Sequence, residues 1–245
     1  PQHAKFFLEA YDLFPAPLQE FMCEFSSFEL VKMDATANSG MQFREGLFEQ
    51  ALQADHWASW KEQLNFSAQN NEAYPVSPAL PNVHIRVHGK EPAFLYFVLA
   101  HELGHNVPRN YEFRRKWSDL HYASQFNQQL IALKLCSYWC TPQTVQPASA
   151  IAGIYNTLGA LSTLPSIYGS RNEEEDWADS FALYVLLVKT GGSYAVTLAD
   201  GTTYSAQDLL KSERFKPKLQ MLEQAYNSLS SGMVMMNESR EIIIE

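Results

Sequence analysis

Apolar positions along this chain follow two rhythms, and the switches between them mark out the elements. Phe6, Phe7, Ala10, Leu13 and Phe14 recur at helical spacing, so residues 4–25 read as helix with a break at Pro15-Ala16-Pro17. Residues 28–36 alternate and predict a strand, with a turn at Asn38-Ser39-Gly40. Residues 44–65 carry Leu47, Phe48, Ala51, Leu52, Trp57, Trp60 and Leu64 and predict an amphipathic helix. The polar residues 66–82, with Pro75, Pro78 and Pro81, read as loop. Val83-His84-Ile85-Arg86-Val87-His88 then alternates with period two and stops at Gly89. That is a half-exposed strand, with His84 and His88 on its solvated face, and its free edge suits pairing with an extended peptide.

Pro92 and the run Phe94, Leu95, Phe97, Val98 and Leu99 predict a buried helix of about four turns, ended by Pro108. Residues 109–116 read as a basic, aromatic connection, and 118–140 as one long helix with Leu120, Phe126, Leu130, Leu133 and Leu135 inward. Residues 147–163 form an apolar helix and 164–172 a loop. Residues 173–190 form a strongly apolar helix ended by Gly191-Gly192. Asp200-Gly201 between two short alternating runs predicts a hairpin over 194–204, and two helices follow over about 206–230. The tail from 231 reads as a last strand or an arm.

The apolar fraction of 46% is enough for a sizeable core, and the net charge of −9 argues against nucleic acid or an anionic membrane as partner, since both need a basic patch. No run of apolar residues reaches the length of a membrane span. The chain starts at Pro1 without an initiator Met, which points to removed upstream residues and leans towards a secreted or periplasmic protein. Three cysteines do not make a disulfide scaffold. Cys136 and Cys140 are one helical turn apart, where a bridge is strained, so two reduced thiols are expected.

The candidate chemistry lies at the end of the buried helix, in Ala100-His101-Glu102-Leu103-Gly104-His105-Asn106. Four residues on a helix turn through about 400°, so His101 and His105 project from one face. Two imidazoles so placed suit one Zn²⁺, and Glu102 beside them suits a general base acting on the water that the metal activates. A polar, histidine-bearing turn on a buried helix is costly unless something pairs with it.

A catalytic zinc needs a third protein ligand. The metzincin spacing requires Gly and His where this chain has Pro108 and Tyr111, and no Asp occurs between His105 and Asp119. A carboxylate on a separate helix remains, and Glu173-Glu174-Glu175-Asp176 opens one. Acids there also suit the helix dipole. Four residues after Glu175 comes Asp179, an acid within the stretch Trp177 to Ala182 that is expensive to bury unpaired. Glu175 as ligand and Asp179 as the acid behind a ligating histidine explain each other, with Glu174 the next choice.

His101-Glu102-x-x-His105 with a downstream Glu175 resembles the gluzincin zinc metallopeptidases. The stretch from Tyr168 to Phe181, a Tyr-Gly turn before an Asn-Glu-x-Glu-x-x-Ala-acid-x-Phe helix, is similar to the corresponding part of the anthrax lethal factor type of catalytic domain. The resemblance covers about 20 residues. It implies that Glu175 is the zinc ligand, that Tyr168 faces the reaction centre, and that Asp179 is a helix acid of the same kind. Aspartate at 179 rather than glutamate, and the early Pro108, are departures from the pattern.

Together these readings predict a zinc-dependent endopeptidase acting on a protein or peptide. One Zn²⁺ is held by His101, His105 and Glu175, Glu102 is the base, and Tyr168 donates to the oxyanion, with Tyr111 and Arg109 as reserves. The alternatives are a non-catalytic zinc-binding or interaction domain, and an amide hydrolase acting on cell-wall peptides. The expected fold is α+β, zincin-like and two-lobed within one catalytic domain spanning 1–245. An N-terminal lobe over 1–106 carries a small sheet and the metal helix, and a mainly helical lobe over 107–245 supplies the third ligand.

Overall fold

The fold comes from a computed structural model that describes residues 8–31, 40–44, 47–53, 82–86, 93–134, 148–197, 201 and 203–230. Helix α1 (Ala16–Phe25) follows a helical turn at 8–11, with the predicted break between them. Leu18, Phe21 and Met22 of α1 are buried, and Phe14 in the bend stacks on Tyr96 with ring centres 4.3 Å apart. Strand β1 (Ser26–Val31) joins β2 (Gly40–Arg44) and β3 (Leu47–Gln53) in the order β1-β3-β2, with β3 parallel to β1 and antiparallel to β2.

That sheet corrects the helix expected over 44–65. The spacing of Leu47, Phe48, Ala51 and Leu52 is helical, but Phe48 pairs with Ser26 on one side and Phe43 on the other, so β3 is a central strand. Strand formation depends on partners that are distant in sequence, and a local period cannot register them. Residues 54–65, the loop over 66–81, Cys136, Cys140 and the tail from 231 lie outside the described residues.

Strand β4 (Asn82–Arg86) is the one expected before the metal helix. It pairs with β5 (Ser193–Thr197), and β5 pairs with β6 (Thr203–Ser205), all antiparallel, which leaves β4 at an edge among the described strands. The predicted hairpin is β5–β6, with Gly201 at φ +83° in its turn. The second half of the chain therefore supplies two strands to the sheet that precedes the histidine-bearing helix. The result is a mostly helical α+β arrangement.

Helix α2 (Ala93–Asn106) carries the histidines. Tyr96, Phe97, Leu99, Ala100 and Leu103 are buried, each contributing about 1.5–3 kcal/mol if large and fully removed from water. Two corrections follow α2. Residues 109–116 are not a connection: Asn110 accepts from the Phe113 N–H at 2.9 Å and caps helix α3 (Tyr111–His121). The long helix over 118–140 is divided as well. Ser124 accepts from the Asn127 N–H at 3.0 Å and starts α4 (Gln125–Ala132), and Leu133, expected inward, is half exposed. In both places a cap residue outweighs a continuous apolar rhythm.

Helix α5 (Ala148–Ala160) precedes a 3₁₀ turn at Tyr168–Ser170. Asn172 then accepts from the Glu175 N–H at 2.9 Å and caps α6 (Glu173–Tyr184), whose residues from Asp176 onward are all buried. The helix continues as a π turn over Val185–Lys189 and ends where Gly191, at φ +65°, takes the left-handed conformation. Helices α7 (Ala206–Lys211) and α8 (Lys216–Ser230) complete the described chain.

Helices α2 and α6 run along each other. On its other side α6 packs Trp177 against Phe113 and Trp117 of α3, with ring centres 5.3 and 4.8 Å apart. Beneath it lies a buried polar cluster. Asp176 takes the His121 Nδ1 at 2.9 Å and the Lys218 ammonium, and Lys218 also donates to the Thr163 carbonyl at 3.0 Å. A charge buried in this way must be paired, and the pair ties α3, α6 and α8 together at the residue next to Glu175.

Candidate metal centre

The crossing of α2 and α6 builds the site. At the contact, a Cβ on Gly104 would come within 3.1 Å of the Ala178 Cα, so the two backbones approach closely enough that a larger residue must displace its neighbour. The Trp177 indole N–H donates to the Gly104 carbonyl at 2.7 Å and locks the crossing. Gly104 precedes His105 and Ala178 precedes Asp179, so this contact sets the separation between the imidazoles and the acids. Gly104→Ala is expected to push the helices apart by a few tenths of an ångström and lower metal affinity about tenfold, while the gain in helix propensity, up to about 1 kcal/mol, offsets the loss of packing. A chelator-competition titration beside thermal unfolding checks both halves.

Three donor atoms converge at the crossing. His101 Nε2 and His105 Nε2 are 3.2 Å apart, and Glu175 Oε2 lies 3.3 Å from the first and 3.4 Å from the second. A tetrahedral ion with bonds of about 2.0–2.1 Å sets its ligands roughly 3.3–3.4 Å apart, so the triangle has the edges of one tetrahedral face. Glu175 Oε2 is buried against the two imidazole nitrogens, an arrangement that suits an atom shared with a cation. The three side chains fit a divalent metal such as Zn²⁺. Their exposure is graded: the His101 side chain is 9% exposed, Glu175 16% and His105 27%, so the open side lies towards His105.

Behind His101 stands Asp179. Its Oδ1 is 2.7 Å from His101 Nδ1 and its Oδ2 accepts from the Ser166 hydroxyl, which in turn accepts from the Gly169 N–H at 2.8 Å. A carboxylate on Nδ1 fixes the proton there and leaves Nε2 free to ligate. Glu174, the alternative ligand, is committed elsewhere. It takes the Arg109 guanidinium at 2.6 Å, and Arg109 lies 4.8 Å from the Trp177 ring. That pair decides between the neighbouring glutamates. It also engages Arg109, one of the reserve oxyanion donors, while Tyr111, the other, is 82% exposed at the start of α3.

Glu102 is half-buried on α2 between the two histidines. Burial raises its carboxyl above the ordinary range, and the two imidazoles work against that rise. Tyr168 is half-buried in the 3₁₀ turn, its ring 5.7 Å from that of His101. Burial and the Glu175 charge push its hydroxyl pKa up, which keeps it a proton-bearing donor. Burial also opposes the charge on Glu175, yet hydrogen bonds from His101 and His105 hold its carboxyl well below the usual carboxylate range. Burial disfavours a proton on His101, but its hydrogen bonds to Asp179 and Glu175 outweigh this and push it up to about 10.

This gives a pH dependence. A His101 pKa raised from 6.5 to about 10 stabilises the metal-free fold fully below pH 6.5 and loses that contribution as the pH climbs towards 10. A metal competes for the same Nε2, so its affinity is expected to rise about tenfold per pH unit across that window. Chelator competition at several pH values checks it, and an affinity independent of pH would remove His101 from the ligand set.

Ser166, the Arg109–Glu174 pair and the role of Gly104 were not read from the sequence. Ser166 lies in an aperiodic loop and carries no signal. Gly104, within a helix otherwise made of large apolar residues, was a visible sign of close approach. Compared with protein-family models, curated proteins and solved structures, the chain finds no match. The His-His-Glu cluster is consistent with a gluzincin-type active site, and none of these comparisons links the chain to the lethal factor catalytic domain.

Proposed function

We propose that this chain is a zinc-dependent endopeptidase. The observation that carries the reading is the His101–His105–Glu175 triangle, whose edges match one face of a tetrahedral zinc site and whose buried histidine is backed by Asp179. Zn²⁺ there would supply Lewis acidity to water and to the substrate carbonyl. Glu102, its carboxyl raised by burial, takes the proton of the attacking water and passes it to the leaving amine. The Tyr168 hydroxyl donates to the oxygen on which charge develops. Edge strand β4, next in sequence to α2, offers backbone groups to an extended substrate.

The test is cleavage of an unfolded protein such as reduced casein, and of cross-linked cell-wall peptides, by the zinc-loaded chain. Casein cleavage that stops with 1,10-phenanthroline and returns with Zn²⁺ is the expected result. Cleavage of cell-wall peptides alone would move the substrate to that class. Tight zinc binding with no cleavage of either would leave a non-catalytic metal domain.

A further inference from the structure

The 3₁₀ turn that carries Tyr168 ends on Arg171, an exposed side chain at the rim of the metal centre. Arg171 Nη1 donates to the Tyr168 hydroxyl oxygen at 3.3 Å, and its guanidinium carbon lies 5.8 Å from the Tyr168 ring centre. Three glutamates follow it closely in sequence, but each is engaged elsewhere. Glu173 accepts from the Tyr122 hydroxyl at 3.2 Å, Glu174 from Arg109, and Glu175 sits against the imidazoles. The cation therefore rests on the tyrosine, although acids lie within four residues of it.

A phenolic oxygen has one hydrogen to give. A guanidinium N–H donated to that oxygen leaves the hydrogen to point elsewhere, and the Tyr168 ring stands 5.7 Å from that of His101 at the candidate metal centre. Arg171 thus backs a hydroxyl that belongs to a ring beside the candidate ligand His101. A hydroxyl that accepts from a cation donates more strongly to whatever lies before it.

We propose that Arg171 is a positioning residue that holds the Tyr168 hydroxyl as a donor aimed at the reaction centre. This rests on the endopeptidase reading and on Tyr168 as oxyanion donor. It contrasts with Arg171 as a cation that binds an acidic substrate side chain, which would act through substrate affinity and not through the tyrosine.

A double-mutant cycle on the zinc-loaded full chain separates these, using steady-state cleavage of a fluorogenic peptide selected from casein products. Arg171→Ala should lower kcat about tenfold with KM little changed, the loss expected for one charge-assisted hydrogen bond. Arg171→Lys should recover part of the loss, since an ammonium can still donate to the hydroxyl. In a Tyr168→Phe background, Arg171→Ala should change kcat less than twofold, because the oxygen it supports is gone. Equal losses in both backgrounds, no loss in either, or a raised KM with kcat kept would each overturn the assignment while leaving the peptidase standing. A wild-type chain that binds zinc and cuts nothing would remove the peptidase reading and this assignment with it. Zinc content measured on every variant shows that the site itself is intact.

Discussion

Glu175→Ala is expected to strip the protein of its metal, whereas Glu174→Ala, one residue away, leaves it loaded. The contrast follows from partners. Glu175 is the only carboxylate in the described His-His-Glu cluster, while Glu174 is held by Arg109 at 2.6 Å. Removing a direct ligand should cost more affinity than the about 10–100-fold that follows loss of an outer partner, a value that Asp179→Asn should show. The three variants therefore form a ladder, with Glu174→Ala near wild type, Asp179→Asn intermediate and Glu175→Ala lowest. Metal content after dialysis against a weak chelator reads it directly. Far-UV circular dichroism separates ligand loss from unfolding, because the N-cap bond from Asn172 uses the backbone N–H of Glu175 and survives the substitution. Full zinc occupancy in Glu175→Ala would show that the ion sits elsewhere or has another third ligand.

What could be read in the chain beforehand was local and periodic. His101 and His105 are legible because helical geometry alone puts four-residue neighbours on one face. Glu175 and Asp179 are legible because an acid inside an apolar stretch demands a partner, and Asp179 has two, His101 and Ser166. The strand at 82–86, the hairpin and the helix end at Gly191 follow from equally local rules. Less legible was anything decided by a distant contact. Strand β3 exists through pairing on both sides and carries a misleading helical period. The partner of Glu174 is Arg109, 65 residues away, and nothing near Glu174 in the chain names it. The buried cluster of His121, Asp176 and Lys218 joins three helices, and no pattern within any one of them announces the others. The cap residues Asn110 and Ser124 are a different matter, since their signal was present and the apolar rhythm masked it.

Glu102→Gln should give the largest loss of activity with the smallest structural change. Glutamine keeps the volume and one carbonyl oxygen but cannot accept a proton at neutral pH, so kcat should fall by at least about 10²–10⁴. Zinc content should not change, since Glu102 does not belong to the converging triad. The pH profile adds a second reading. Burial raises the Glu102 carboxyl above the ordinary carboxylate range, and a base works only when deprotonated. Burial moves the acid limb of kcat/KM towards higher pH, while the imidazoles and a bound cation pull it back. In Glu102→Gln that limb should vanish along with most of the rate. If the variant keeps wild-type turnover, the proton of the attacking water has gone to another group. If it loses zinc instead, Glu102 binds metal, and the division between base and ligands on α2 has to be redrawn.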